Sequence, residues 1–296
     1  MKPILLLAAV LTLPWLQQDD PLTRPIAPEA AAKWIGPQAP IRVYSNTYLV
    51  GFKGMNVALI DTGKGLILID GAVPQSVHDV EAHLQQLGYR IQDVKLILST
   101  EPHFDHAGGL AALARDSGAT VVASSWGAAA LRNGRSPADD PQVAWLEPFP
   151  AVSRVRVVQD GAAIRLGGVT VTARATPGHT PGSMSWTWRS CEGRACKTLV
   201  FGSSLNPVAA DGYRFTSHPE VVASFRATQA RVRAMPCDIL FSAHPDNSGG
   251  PEKYAALARG VRPNPYLDPG ACRAYAARSE QALAERLADE KAGRAK

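Results

Sequence analysis

Apolar positions along this chain recur in two rhythms, and the change from one to the other marks where structure gives way to chemistry. Short β-prone runs at 47–50, 57–60 and 66–69 are separated by glycines at 51, 54, 63 and 65, which predicts a strand meander closed by Asp70 and Gly71. Residues 76–87 then carry Val80, Leu84 and Leu87 at helical spacing and stop at Gly88, as a helix does. The nearly continuous apolar run at 94–98 predicts a strand buried on both faces, and Gly108-Gly109 before an apolar stretch at 110–116 predicts a helix packed closely behind it. A short strand at 120–123, a helix at 126–131 and a proline-rich loop at 132–150 follow. A second strand-rich section covers 155–158, 163–166, 169–173, 183–189 and 198–201, then a helix at 219–233, a strand at 239–243 and a helical tail from Ala271. Residues 21–47, interrupted by Pro21, Pro25, Pro28, Pro37 and Pro40, read as an irregular lead-in with one helical turn at 29–32. Meander, helix, strand and loop thus repeat in outline. Two such halves burying their sheets against each other predict an α/β fold, a four-layer αββα sandwich formed by residues 21–296 as one domain.

The loop after the strand at 94–98 concentrates chemistry: Thr100, Glu101, Pro102, His103, Phe104, Asp105, His106, Ala107. Glu101 and His103 alternate at strand period and share a side, while Asp105 and His106 sit where the backbone turns toward the helix. Pro102 disfavours helical geometry at Glu101 and keeps it extended. Two further histidines lie in similarly stiff places. His179 stands between the pairs Pro177-Gly178 and Pro181-Gly182, and His244 follows the strand at 239–243 directly before Pro245. Singly, Asp105 reads as a helix N-cap and a lone histidine as structural. Four of the 7 histidines at strand ends beside two acids read together as a metal site, with more ligands than one ion needs. His78 and His83, on the polar side of the first helix, and His218, before Pro219, receive no role.

Composition excludes some alternatives. A hydrophobic fraction of 46% fits a globular protein, and the net charge of +5 comes from scattered Lys and Arg without basic blocks, so nucleic acid is not expected as a partner. Residues 4–16 form an apolar core after one lysine, shorter than the roughly 20 residues a membrane span needs, and read as an export signal ending near residue 20. No other stretch is apolar enough to span a bilayer. In an exported chain 4 cysteines read as two disulfides. Three pairings are possible and sequence alone does not choose. Cys191 and Cys196 bracket a turn-like insert, which favours a closed hairpin and leaves Cys237 with Cys272; a cysteine zinc site competes, but no C-x-x-C pair exists.

These segments resemble the metallo-β-lactamase superfamily, and most closely the third subclass of the class B β-lactamases. The resemblance runs from about Tyr44 to the C-terminus. It is carried by the loop at 100–109, by Thr176-Pro177-Gly178-His179-Thr180-Pro181-Gly182-Ser183, by Leu68-Ile69-Asp70-Gly71 and by His244. Asp139-Asp140-Pro141-Gln142, the tryptophan-rich stretch 185–191 and the stretch 210–215 resemble that subclass in particular. The resemblance implies a periplasmic, monomeric hydrolase that uses two Zn²⁺ per chain and a metal-bound hydroxide to open the amide bond of β-lactams, a small-molecule substrate. Another ester, thioester or lactone is the alternative substrate class. It implies one zinc on Glu101, His103 and His179, with Glu101 where the family has a first histidine, and a second on Asp105, His106 and His244, Asp105 being also catalytic. Ser204 matches a serine that holds substrate carboxylate, and Asn206 stands where a second serine is common. Asp70 matches an aspartate that braces the metal loop. Counting charges, two Zn²⁺ with Asp105 and a hydroxide leave about +2, and an ionised Glu101 reduces this to about +1.

Overall fold

The computed structural model describes residues 20–294; the segment read as an export signal lies outside the described residues. Among the described residues a single helical turn, α1 (Pro28–Ala31), precedes twelve strands that form two sheets. The first runs in chain order, β1 (Ile41–Tyr44), β2 (Thr47–Leu49), β3 (Ala58–Asp61), β4 (Leu66–Ile69), β5 (Val94–Leu98), β6 (Thr120–Ala123) and β7 (Val155–Val157). Its first four strands pair antiparallel and the rest parallel, because helices α2 (Val77–Gln86), α4 (Leu110–Ser117) and α5 (Ser125–Asn133) carry the chain back between them. The second sheet holds β8 (Ala163–Leu166), β9 (Val169–Ala175), β10 (Met184–Glu192), β11 (Ala195–Gly202) and β12 (Ile239–Ser242), with β12 parallel to β11. Helix α6 (Pro219–Ala234) makes that crossover, and α7 (Gly250–Ala258) and α8 (Ala271–Lys291) follow.

Side-chain alternation assigns the layers. On β3 and β4, Ala58, Ile60, Ile67 and Ile69 turn toward Val171, Trp186, Trp188, Phe201 and Phe241 of the other sheet, forming the central core. Leu59, Leu66 and Leu68 face the opposite way, onto Val77, Val80 and Leu84 of α2 and Leu110 and Leu113 of α4. Val200 and Leu240 point outward from the second sheet onto Val232 of α6 and Ala271, Tyr275 and Ala276 of α8. The chain is therefore the expected αββα sandwich. Every residue of β4 is buried, as a strand covered on both faces requires.

Three features depart from the expected elements. Strand β1 lies within the stretch read as irregular: four residues alternate too briefly to register beside the prolines. Helix α7 falls between glycines and a second proline-rich stretch, and its Pro251 sits in the first turn, where proline supports a helix. The β10–β11 hairpin runs further than expected, to Glu192 and Ala195, with Cys191 opposite Cys196. That pair is bonded, and so are Cys237 and Cys272, the latter tying the start of α8 to the chain just before β12.

Candidate metal centre

The loops that leave β5, β9, β11 and β12 converge at one edge of the sandwich. After β5 the chain stays extended through Glu101 and His103, then turns into the short helix α3 (Phe104–Ala107), which carries Asp105 and His106. Gly109 explains how α3 packs so tightly: a Cβ there would lie 2.2 Å from the carbonyl oxygen of Gly71. On the other side of that contact, Asp70 and Ala72 hold left-handed backbone, with φ of 64° and 55°. Strain of this kind in non-glycine residues is held by its surroundings and gathers at functional sites.

Six side chains meet here in two groups. Glu101, His103 and His179 form one and Asp105, His106 and His244 the other, each offering ligand atoms within 4.8 Å of one another. All are buried except His244, which is partly open. Glu101 Oε1 lies 3.0 Å from His106 Nε2 and 3.5 Å from His179 Nε2, so it faces both groups, yet it takes no hydrogen bond of adequate geometry. His106 Nε2 and His244 Nε2 approach to 3.2 Å, and Asp105 Oδ2 lies 3.3 Å from the latter. Lone-pair atoms crowded in this way, one of them a buried carboxylate oxygen without a donor, fit a set of cation ligands.

The far side of every imidazole is fixed. His103 Nε2 donates to Asp140 Oδ2 at 3.0 Å and His106 Nδ1 to Asp70 Oδ2 at 3.3 Å. His179 Nδ1 donates to the carbonyl of Asn206 at 2.8 Å and His244 Nδ1 to that of Gly54 at 3.2 Å. Because each partner can only accept, each of those nitrogens carries the proton, and the other turns its lone pair inward, to a metal or, at His179 Nε2, to the Gln142 amide 3.2 Å away. Asp70 also accepts from Thr100 N at 2.7 Å and Thr100 Oγ1 at 2.6 Å, which stiffens the loop just before Glu101.

Electrostatics follow from burial and crowding. Burial would raise the Glu101 carboxyl, but His106 and His179 hold it well below its ordinary value. Asp105 is lowered in the same way, burial being outweighed by His106 and His244. Burial opposes the charge on His106 and His103, but Glu101 and Asp105 around the first and Asp140 beside the second raise both. Burial depresses His179. Asp70, fully enclosed, is raised by burial, partly offset by His106 and Thr100.

Ser204 and Asn206 line the same edge. Ser204 N donates to Glu101 Oε2 at 2.9 Å, while Ser204 Oγ and Asn206 Oδ1 are buried without partners. Sequence reasoning missed three contributors: Asp140 as the partner of His103, Gln142, whose amide nitrogen lies 3.2 Å from His179 Nε2, and the Gly54 carbonyl behind His244. The first two lie in a proline-rich stretch that gives no periodic signal, and a backbone carbonyl leaves no mark in a sequence. The lead-in also reaches the site, since the Trp34 ring packs 6.1 Å from that of His244. A cavity of about 740 Å³ adjoins the centre, lined by neighbours of the six candidate ligands, among them Asp140, Gly178, Tyr213 and Val221, and not by those six residues themselves.

A sandwich of this topology with acid and histidine ligands at the strand ends defines a metallohydrolase class. The family model of the metallo-β-lactamase superfamily matches residues 43–192, and the chain belongs to that superfamily. Among solved structures, it is 54% identical to one described as the first B3 metallo-β-lactamase with an active-site glutamic acid, covering 92% of this chain and 99% of that one with a TM-score of 0.85. It is 43% identical to the Rm3 metallo-β-lactamase, covering 89% and 98% at a TM-score of 0.86. It is 34% identical to BJP-1, a subclass B3 metallo-β-lactamase of Bradyrhizobium japonicum, covering 89% and 99% at 0.81. A curated relative, the uncharacterized protein YobT of Bacillus subtilis (strain 168), is 32% identical over 149 residues, which are 49% of this chain and 61% of that protein. The chain thus spans about three fifths of the length of that relative.

Proposed function

We propose that this chain is an exported zinc β-lactamase that hydrolyses the lactam amide, with one Zn²⁺ held by Glu101, His103 and His179 and a second by Asp105, His106 and His244. The observation that carries this reading is Glu101 Oε1, a buried carboxylate oxygen without a donor among four histidines whose outer nitrogens are already committed. Two histidines and a glutamate are an established catalytic zinc set, so the glutamate fits the metal as well as a third histidine would. Bound zinc supplies Lewis acidity toward the lactam carbonyl and lowers the pKa of water from about 15.7 toward about 7. Asp105, the carboxylate of the second group, is the catalytic residue on which the proton of the attacking water can rest. The unpartnered Ser204 Oγ donates to the substrate carboxylate, and Asn206, whose Oδ1 is likewise without a partner, is the second substrate-holding group. Support for the substrate class comes from the 54% identical B3 enzyme, which shares an active-site glutamic acid.

The protein acts as a periplasmic monomer in which residues 21–296 form one domain behind an export segment at about 1–20. Two disulfides support an oxidising compartment, and among the described residues no helix is long and apolar enough to cross a membrane. The test is hydrolysis of a chromogenic cephalosporin by the purified chain, with and without chelator, alongside a thioester and a lactone, with zinc counted by elemental analysis. Chelator-sensitive cephalosporin turnover with two zinc ions per chain is expected. Turnover of only the thioester or lactone by the zinc-loaded protein refutes the substrate, and a full complement of iron refutes the metal.

A further inference from the structure

The two oxygens of Glu101 do different work. Oε1 faces the histidines of both groups, whereas Oε2 accepts from Ser204 N at 2.9 Å. Ser204 is 0% exposed, so no bulk water is at hand to satisfy its N–H if that oxygen is lost. The stretch 203–206 is tied down residue by residue. Ser203 N donates to Ser185 Oγ at 3.1 Å, Ser203 O accepts from Tyr275 at 2.7 Å, and Leu205 O accepts from Ser279 at 2.7 Å. Asn206 O accepts from His179 Nδ1 at 2.8 Å. Three of these ties lead to β10 and α8, two lead to Glu101 and His179, residues of one metal group, and Ser203 Oγ is also held by Thr176 Oγ1 at 2.8 Å.

We propose that Glu101 is a positioning residue for the Ser204–Asn206 loop as well as a metal ligand, and that a histidine cannot replace it in both roles. The claim rests on the reading of Ser204 as the substrate-holding group. A neutral imidazole that gives one nitrogen to a metal has its proton on the other, so toward the Ser204 N–H it presents a donor where the carboxylate presents an acceptor. Donor would meet donor in a site closed to water. The loop must shift to relieve the clash, carrying with it Asn206, the partly open residue two positions on that is the other substrate-holding group.

The experiment starts with metal-free protein and follows hydrogen exchange at the Ser204 amide in the parent, Glu101→Gln, Glu101→His and Glu101→Ala. Glutamine keeps an acceptor oxygen and should leave Ser204 protected within a few-fold of the parent. In the metal-free protein alanine should speed exchange about ten- to hundredfold, the factor equivalent to a hydrogen bond to a charged group, whereas histidine should do so only once zinc holds one ring nitrogen and fixes the proton on the other. Alanine adds no ring, so it reports the lost acceptor even if the histidine variant folds poorly. In Glu101→His loaded with its full zinc complement, kcat/KM for an anionic cephalosporin should fall chiefly through KM, by about tenfold. Equal Ser204 exchange in parent and Glu101→Ala overturns the proposal, as does an unchanged KM in zinc-loaded Glu101→His. The exchange comparison of the parent with Glu101→Gln and Glu101→Ala needs neither metal nor turnover, so an absence of β-lactam hydrolysis would refute the functional reading without touching it.

Discussion

Replacing Asp70 should separate the stability of the metal loop from its metal affinity. This carboxylate is 0% exposed and accepts from Thr100 N, Thr100 Oγ1 and His106 Nδ1. Asp70→Ala strands all three donors in a closed space. At about 1–3 kcal/mol for each of the three stranded groups the loss is about 3–9 kcal/mol, with about 1 kcal/mol more for alanine at the left-handed φ of 64°. That is a large fraction of the 5–15 kcal/mol by which domains of this kind are ordinarily stable. Asp70→Asn differs in kind. Asparagine tolerates left-handed backbone, and its oxygen can still accept from Thr100 N, so the fold should lose only about 1–2 kcal/mol. Its NH₂ now faces His106 Nδ1, however, which must become an acceptor and move its proton to Nε2, the atom wanted for metal. Zinc affinity should fall about 10–100-fold, the usual cost of removing a partner behind a metal-binding histidine. Urea unfolding of the metal-free proteins measures the first effect and competition with a chromophoric chelator the second. If Asp70→Asn holds zinc as tightly as the parent, Asp70 does not set the tautomer of His106.

Three further outcomes follow from the same contacts. Asp140→Asn should weaken zinc by about 10–100-fold through His103, with little loss of stability, by the same competition assay. In the metal-free protein, Glu101 and Asp105 are held below their ordinary values of 4.5 and 3.8, so their contribution is present above those values and lost as pH falls through the lowered ones. His103 and His106 are held above 6.5, so their contribution is full below that value and lost as pH rises through the raised ones. From these four groups stability should be highest between about pH 4.5 and 6.5 and decline as pH rises through the raised histidine values, with the lowered His179 drawing the maximum toward the upper end, while zinc affinity climbs as the histidines lose protons; urea midpoints on either side of that window check it. Cys237→Ser with Cys272→Ser should cost about 2–4 kcal/mol, because the bond closes a loop of 35 residues, and calorimetry of the oxidised parent and the variant measures it.

Much of this centre can be read from sequence, for physical reasons that also mark the limit. Prolines and glycines around His103, His179 and His244 leave those side chains few places other than a strand end, the apolar runs of β3 and β4 mark strands covered on both faces, and apolar alternation on β10 picks the face turned to the core. The contacts behind the ligands are another matter. Asp140 reaches His103 across 37 residues from a stretch without periodicity, and His179 and His244 are held by carbonyls that any residue could supply. The Ser204 N–H belongs to this group too, since no side chain announces its bond to Glu101. Strand β1 and helix α7 were hidden by nearby prolines and glycines, whose local signal outweighed four and nine residues of regular structure.

The partners behind the histidines give Glu101 a meaning that charge counting lacks. Asp105, His106 and His244 comprise a carboxylate, a histidine backed by a carboxylate (Asp70) and a histidine backed by a backbone carbonyl (Gly54). With glutamate at 101, the other group repeats that composition: Glu101, His103 backed by Asp140, and His179 backed by the Asn206 carbonyl. A histidine at 101 would leave the groups unlike, one anionic and one neutral in its direct ligands. The extra charge is also spread, because Oε2 leans on the Ser204 N–H while Oε1 remains for the metal. The groups still differ in the ring nitrogen offered, since His103 presents Nδ1 where His106 presents Nε2, in the Gln142 amide 3.2 Å from His179 Nε2, and in access, His244 being 20% exposed at its side chain against 6% for His179. Two ions in such like surroundings should bind with affinities within about tenfold of each other, since ligand charge and type set affinity more than burial of this degree. Stepwise removal of zinc by a chelator should then run as one phase in the parent and split into two in Glu101→His. Two well-separated phases in the parent would show that access, and not ligand chemistry, decides which ion leaves first.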